Sequence, residues 1–262
     1  VCHYCGYHEP APNKCPECGS KYIRYFGSGT EKLEEAVSDL FPEYAAERLD
    51  LDTVKRKGEL TRKLKAFRSG KTRILIGTQI IAKGLDFRNV GLSGIVSADV
   101  SLNIPDFRSP ERTFQLITQA AGRAGRGDSQ GHVVIQTYSP EHYAVAFASQ
   151  HDYKGFFETE KQLRAYMGYP PYSDLFQIVF TARMEDAAKD GAESWYKRIC
   201  GRMAREDQEM VFPPQQAYLG KIKDIYRYSM LIKCPQGRRA EYSRIVAAVR
   251  EEDIEKKKKD YT

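Results

Sequence analysis

Residues 109–127, SPERTFQLITQAAGRAGRG, decide how this chain is read. Ser109 suits a helix N-cap and Pro110 the first helical position. Phe114, Ile117 and Ala121 recur at helical spacing, with Leu116 and Ala120 beside them, so one face is predicted to be buried. Gln119, Gly122, Arg123 and Arg126 fall at i, i+3, i+4 and i+7 on another face. Gly122 and Gly125 lack side chains there, which lets a second surface or a phosphate approach the backbone. Two arginines at that spacing can set planar guanidinium forks on a polyphosphate, better than two lysines could. The plainer alternative is a solvated arginine pair at a helix C-terminus, where cations suit the dipole.

Around this stretch lies a chain of 262 residues, 41% hydrophobic and 29% charged, the composition of a globular protein with room for one large or two ordinary domains. It has no run of 18 or more apolar residues, so no membrane span is expected. No secretory signal precedes Val1, and a start without Met reads as an excised piece. The formal net charge of +6 is a mild bias toward a polyanion. Four of the six cysteines form C-x2-C-x9-C-x2-C (Cys2, Cys5, Cys15, Cys18), while Cys200 and Cys234 are scattered. This pattern predicts a thiolate metal site in a reducing compartment rather than a disulfide scaffold. Four thiolates favour a structural Zn2+, iron being the minor alternative. Gly6 and Gly19 follow the two knuckles and let the backbone turn under the metal.

In chain order, Thr30 is a candidate cap for a helix starting at Glu31, with Leu33, Val37 and Leu40 as its apolar stripe. Residues 48–52 alternate as a strand and 59–68 read as a helix. Gly70-Lys71-Thr72 imitates the end of a phosphate loop, but a helix precedes it and a strand follows it, the reverse of the required order. Strand 73–77 runs into TQIIAKGLDF (78–87), which places Thr78, Gln79, Lys83, Gly84 and Asp86 beyond its carboxyl end, where open α/β sheets bind ligands. An ordinary polar connection is the alternative there. Residues 92–99 and 132–138 supply two further strands. Beyond about 165, strand 176–180, helix 185–206, hairpin 217–235 and helix 238–253 make a β-α-β-β-α order, a small α+β sandwich. Lys221, Lys223, Tyr226, Arg227 and Tyr228 interleave cations with aromatics, suited to backbone charge and base stacking, or else to a half-solvated strand. Trp195 reads as core and Lys256–Lys259 as a solvated tail.

Q-x-x-G-R-x-G-R (119–126) resembles motif VI of superfamily 2 helicases, and GTQ-x-x-AKG-x-DF (77–87) resembles their motif V. Together with the cysteine module and the phrases GSGTEKLEEAVSDLFPE (27–43) and PDFRSPERTF (105–114), they resemble the bacterial primosomal replication-restart helicases, the PriA family. More weakly, so do PPYSDLFQIVF (170–180) and KIKDIYRYSMLIKCP (221–235). The resemblance implies an α/β fold: a RecA-like parallel-sheet lobe 2 over residues 23–150, a zinc-ribbon-like module at 1–22, and a small α+β DNA- or partner-binding domain at 151–262. It implies an ATP-dependent 3′-to-5′ DNA helicase of the bacterial cytoplasm that restarts stalled forks by primosome assembly. ATP with Mg2+ would be cradled by an upstream lobe that this chain lacks, leaving the fragment inactive alone. Arg123 and Arg126 become arginine fingers, and Gln119 positions nucleotide or water. Gly84, Asp86 and Gly122 shape the nucleotide side, and Thr78, Gln79 and Lys83 hold the DNA backbone. Family members bind two zinc ions through four CxxC pairs, of which this chain holds two, so Cys2/Cys5 and Cys15/Cys18 can serve one ion or two. The implied partners are branched or single-stranded DNA, primosome proteins and single-stranded-DNA-binding protein. The rival expectation is a non-enzymatic, zinc-stabilised DNA- or protein-binding scaffold.

Overall fold

The computed structural model describes residues 14, 18–21, 29–50, 58–78, 87, 89–125 and 130–259. They fall into two compact units, one built from Pro12–Ile104 and Arg108–Phe156, the other from Pro105–Phe107 and Phe157–Thr262. Among the described residues no helix is long and apolar enough to cross a membrane.

The first unit is a set of βα repeats: α1 (Thr30–Leu40), β1 (Ala46–Leu49), α2 (Glu59–Arg68), β2 (Ile74–Gly77), β3 (Leu92–Ile95), α3 (Asp99–Leu102), α4 (Ser109–Ala121), β4 (His132–Ile135), α5 (Tyr143–Ser149) and the start of α6 (Tyr153–Met167). β1 pairs with β2 and β3 with β4, both in parallel, with α2 and α4 as their crossover helices. This is the mixed α/β order that the alternating sequence pattern demands. α4 lays Phe114 and Ile117 on a core shared with Ala98, Ala144, Val145, Ala148 and Phe156. Phe114 and Phe156 stack with centroids 4.2 Å apart, and the small Ala144 and Ala148 let α5 close on α4.

Two expected caps are corrected. Ser109 and Thr30 are first helical residues, with Arg108 and Gly29 in the cap positions. Each hydroxyl serves a longer-range partner: Ser109 Oγ donates to Ile104 O at 2.6 Å, and Thr30 Oγ1 to Asp50 Oδ2 at 2.8 Å. The stripe on α1 is also looser than expected, since Leu40 is exposed. Helices α5 and α6 were not foreseen from sequence.

The second unit holds an antiparallel sheet ordered β5-β7-β6, from β5 (Ser173–Ala182), β6 (Gln215–Ile222) and β7 (Ile225–Pro235). One face is covered by α7 (Glu185–Cys200) and α8 (Arg239–Lys259). Phe176, Ile178 and Phe180 point into a core built on Ile199, Met203, Met230, Ile232, Tyr242 and Val249. Gln177, Val179 and Thr181 alternate to the exposed face, as the two-residue period requires. Trp195 belongs to the core layer, its Nε1 donating to Asp253 Oδ2 at 2.5 Å, while Arg198 binds Asp253 at 2.6 Å and ties α7 to α8. The expected helix over 185–206 ends at Cys200, and a 3-10 turn (Arg205–Met210) follows. That turn is pinned by Arg238, which grips both oxygens of buried Asp207 at 2.7 and 2.8 Å and Glu241 at 2.7 Å. Residues 256–259, expected as a tail, are helical.

Candidate phosphate and nucleic-acid interface

Burial of Thr113, Phe114, Ile117 and Ala121 holds α4 against its unit and carries the GRAGR stretch to its C-terminal end. There the helix stops. Gly122 N–H still reaches Thr118 O at 3.0 Å, but Arg123 and Ala124 N–H turn to Ala120 O and Ala121 O, the tighter i→i−3 pattern of a closing turn. Gly125 then takes φ +76°, and its N–H donates to Val90 O at 3.0 Å. The common helical edge expected for Gln119, Gly122, Arg123 and Arg126 therefore breaks at Ala121. Arg126 lies outside the described residues.

Arg123 is half-buried and its Nε donates to Gln119 O at 3.3 Å, one of the last-turn carbonyls that have no partner within the helix. A cation on that carbonyl complements the helix dipole. In this geometry Arg123 is tied to the backbone of Gln119 through Nε. Gly122 is exposed, and a Cβ there would meet only its own helix carbonyls, at 3.4 Å or more.

Of the TQIIAKGLDF stretch, Thr78 is exposed immediately beyond β2, whereas Gln79, Lys83, Gly84 and Asp86 lie outside the described residues. Phe87, which closes the stretch, is buried and meets Phe67 of α2 edge-on, centroids 4.8 Å apart. Three residues later, Val90 accepts the Gly125 bond. One backbone hydrogen bond thus joins the segment just after this stretch to the turn after α4, at the amino ends of β3 and β4, where His132 N–H donates to Gly91 O at 2.8 Å. Sequence reasoning missed Gly131. A Cβ on it would lie 2.2 Å from Gly125 N and 2.5 Å from Ala124 C, so this glycine makes room for the turn. Asp99 is taken up structurally, accepting from Thr137 Oγ1 at 3.0 Å and from Tyr138 N–H at 3.2 Å, which clamps the exits of β3 and β4.

Of the cysteine module, Cys2, Cys5 and Cys15 lie outside the described residues. Cys18 is exposed and Gly19 takes φ +68°, in the left-handed region that favours glycine. Among the described residues no group of three or more His, Cys, Asp or Glu is placed to hold a metal.

In the second unit, Lys221, Lys223, Tyr226 and Arg227 gather around the β6–β7 turn. Lys223 and Asp224 occupy that turn at φ +47° and +61°. Lys221 Nζ lies 3.0 Å from Asp224 Oδ1 and 4.8 Å above the Tyr226 ring. The Asp224 contact, with Tyr226 behind it, raises the ammonium's pKa. Tyr228 turns to the helix face instead and donates to Glu185 Oε1 at 3.2 Å.

With this geometry established, two family models match the chain. Residues 20–128 match the helicase conserved C-terminal domain, and residues 165–261 match the primosomal protein N C-terminal domain. The replication restart protein PriA of Bacillus subtilis is 45% identical over 240 residues, which cover 90% of this chain and 29% of that protein. PriA of Treponema pallidum is 41% identical, covering 89% and 35%, and PriA of Synechocystis 39% identical, covering 89% and 28%. The chain spans about a third of the length of these curated relatives. Matched by two successive domain models and by relatives along nine-tenths of its length, the chain belongs to the family of the replication restart protein PriA and corresponds to the C-terminal part of its members.

Proposed function

We propose that this chain is the second motor lobe and C-terminal accessory domain of an ATP-dependent, 3′-to-5′ DNA helicase that restarts replication at branched or stalled forks in the bacterial cytoplasm. The observation that carries the proposal is the Gly125–Val90 hydrogen bond, which ties the turn bearing Arg123 to the chain three residues past the stretch 78–87 that holds Thr78, Gln79, Lys83, Gly84 and Asp86. A displacement on the DNA side would, in this reading, reach the phosphate side along the backbone that leads from this stretch to Val90. In this reading Arg123 and Arg126 stabilise charge on the transferring phosphoryl group of Mg2+–ATP held by an upstream lobe. Gln119 positions the nucleotide or the attacking water. Thr78, Gln79 and Lys83 bind the DNA backbone, and Gly84, Asp86 and Gly122 leave room for the nucleotide. Zn2+ on Cys2, Cys5, Cys15 and Cys18 stiffens a docking surface and does no chemistry. Lys221, Lys223, Tyr226 and Arg227 add a second DNA contact, and primosome proteins and single-stranded-DNA-binding protein are the partners.

The test is turnover. The isolated chain hydrolyses ATP no faster than background, and joining it to its upstream lobe restores DNA-stimulated hydrolysis and strand separation. Arg126→Ala in the joined protein abolishes unwinding with zinc content unchanged. Retained unwinding removes Arg126 from the finger role. The Arg123–Gln119 contact is the one observation that favours the scaffold reading, because it gives one guanidinium N–H a partner without a phosphate. Salt-dependent binding to forked DNA, with no ATPase in the joined protein, would decide for the scaffold.

A further inference from the structure

The β6–β7 ladder carries an insertion on β6. Pairing runs Gln215↔Ser229 and Gln216↔Tyr228, then resumes at Lys221↔Tyr226 and Ile222↔Ile225. Ala217, Tyr218, Leu219 and Gly220 therefore stand opposite Arg227 alone. Bulges on edge strands re-aim side chains, and β6 is an edge strand of this sheet. Ala217 is buried and anchors the bulge, while Tyr218 and Leu219 are 57% and 54% exposed. Closing the hairpin on Lys223 and Asp224, two non-glycine residues in the left-handed region, holds the cations at a defined tip. From Ala217 to Arg227 there are three cations and one carboxylate. That carboxylate, Asp224, is committed to Lys221. Lys223 and Arg227 have no carboxylate partner among the described residues.

We infer that the bulge Ala217–Gly220 is a stacking platform for single-stranded nucleic acid, with Tyr218 taking a base, Leu219 packing beside it, and Lys223 and Arg227 taking the adjoining phosphates. This rests on the reading of the hairpin as a DNA contact, and it moves the stacking role away from Tyr226 and Tyr228. The Tyr226 ring lies under the Lys221 ammonium, and Tyr228 is held by Glu185. Tyr218 is the aromatic of the hairpin with the most exposed ring. A duplex hides its base faces in its own stack, so the occupant must have unpaired bases.

The experiment is fluorescence anisotropy of the full chain with a labelled oligothymidylate of about 15 nucleotides, an abasic strand of equal charge, and a blunt duplex. Tyr218→Ala weakens oligothymidylate binding about five-fold or more and leaves abasic-strand binding unchanged, whereas Tyr218→Phe stays within about two-fold of wild type. Lys223→Ala combined with Arg227→Ala weakens both single strands and lowers the salt slope by about two. Unchanged oligothymidylate binding by Tyr218→Ala, equal losses on both strands, or preference for the duplex overturns the stacking role while the cation result upholds the wider DNA reading. No salt-dependent binding by the wild-type chain overturns both.

Discussion

Replacing Gly131 by alanine should disturb the turn after α4 more than any other single methyl in the first unit. The added Cβ would stand 2.2 Å from Gly125 N, 2.5 Å from Ala124 C and 2.7 Å from Gly125 Cα. All three atoms are backbone, and ordinary van der Waals contact begins near 3.4 Å, so the turn must retreat by roughly an ångström. Retreat pulls Gly125 away from Val90 O, losing a bond worth about 1 kcal/mol, and overpacking adds about 1–3 kcal/mol. At about 2–4 °C per kcal/mol for a unit of this size, the midpoint of thermal unfolding should drop by roughly 4–16 °C. Gly94→Ala in β3 is the matched control. Its Cβ would meet nothing within 4 Å, so it should stay within about 0.5 kcal/mol of wild type. On the proposed motor reading, an ångström of displacement at the Arg123 turn should lower the DNA-stimulated turnover number of the joined protein about a hundred-fold, with far less effect in Gly94→Ala. Melting by circular dichroism and steady-state ATP hydrolysis read the two effects. If Gly131→Ala and Gly94→Ala are indistinguishable in both, the turn is not positioned by this contact and the coupling through Val90 loses its support.

Two further outcomes probe the second unit. Gly191 lies inside α7 with open space where a Cβ would go, so Gly191→Ala should stabilise the chain by about 0.5–1 kcal/mol, and a lower melting midpoint would contradict that packing. The Arg238 guanidinium holds the Asp207 carboxyl below its ordinary pKa, with burial opposing. A depressed folded-state pKa means that the contribution is present above the unfolded carboxylate value, about 3.9, and is lost as pH falls through the folded value. Asp207→Asn should therefore melt lower than wild type at neutral pH and show a flatter acid limb below about pH 4; parallel limbs would remove Asp207 from the acid response.

Much of the architecture was legible in the chain itself. Apolar spacing marked α2 at residues 59–68, α4 and the β6–β7 hairpin because periodicity records which residues must leave water, whatever they then pack against. Trp195 was readable as core for the same reason. The GRAGR and AKGLDF phrases carried the family, since the residue types that suit phosphate and DNA backbone are few. Short helices such as α5, with seven residues, escaped because their burial comes from alanines that fit under α4, and alanine has little periodic signal of its own.

What only the tertiary structure decided is where the regular elements stop. α4 ends at Ala121 rather than running on through the arginines, because Gly125 is claimed by Val90, a residue 35 positions earlier, and Gly131 leaves the space for it. Ser109 and Thr30 were read as caps from local chemistry, but Ile104 O and Asp50 lay closer once the chain had folded. The bulge in β6 follows the same rule: strand propensity foretold a hairpin, and only pairing with β7 left four residues facing one and turned Tyr218 to solvent. Local sequence sets what each segment can become, and backbone groups distant in sequence decide where it ends by supplying hydrogen-bond partners that its neighbours cannot.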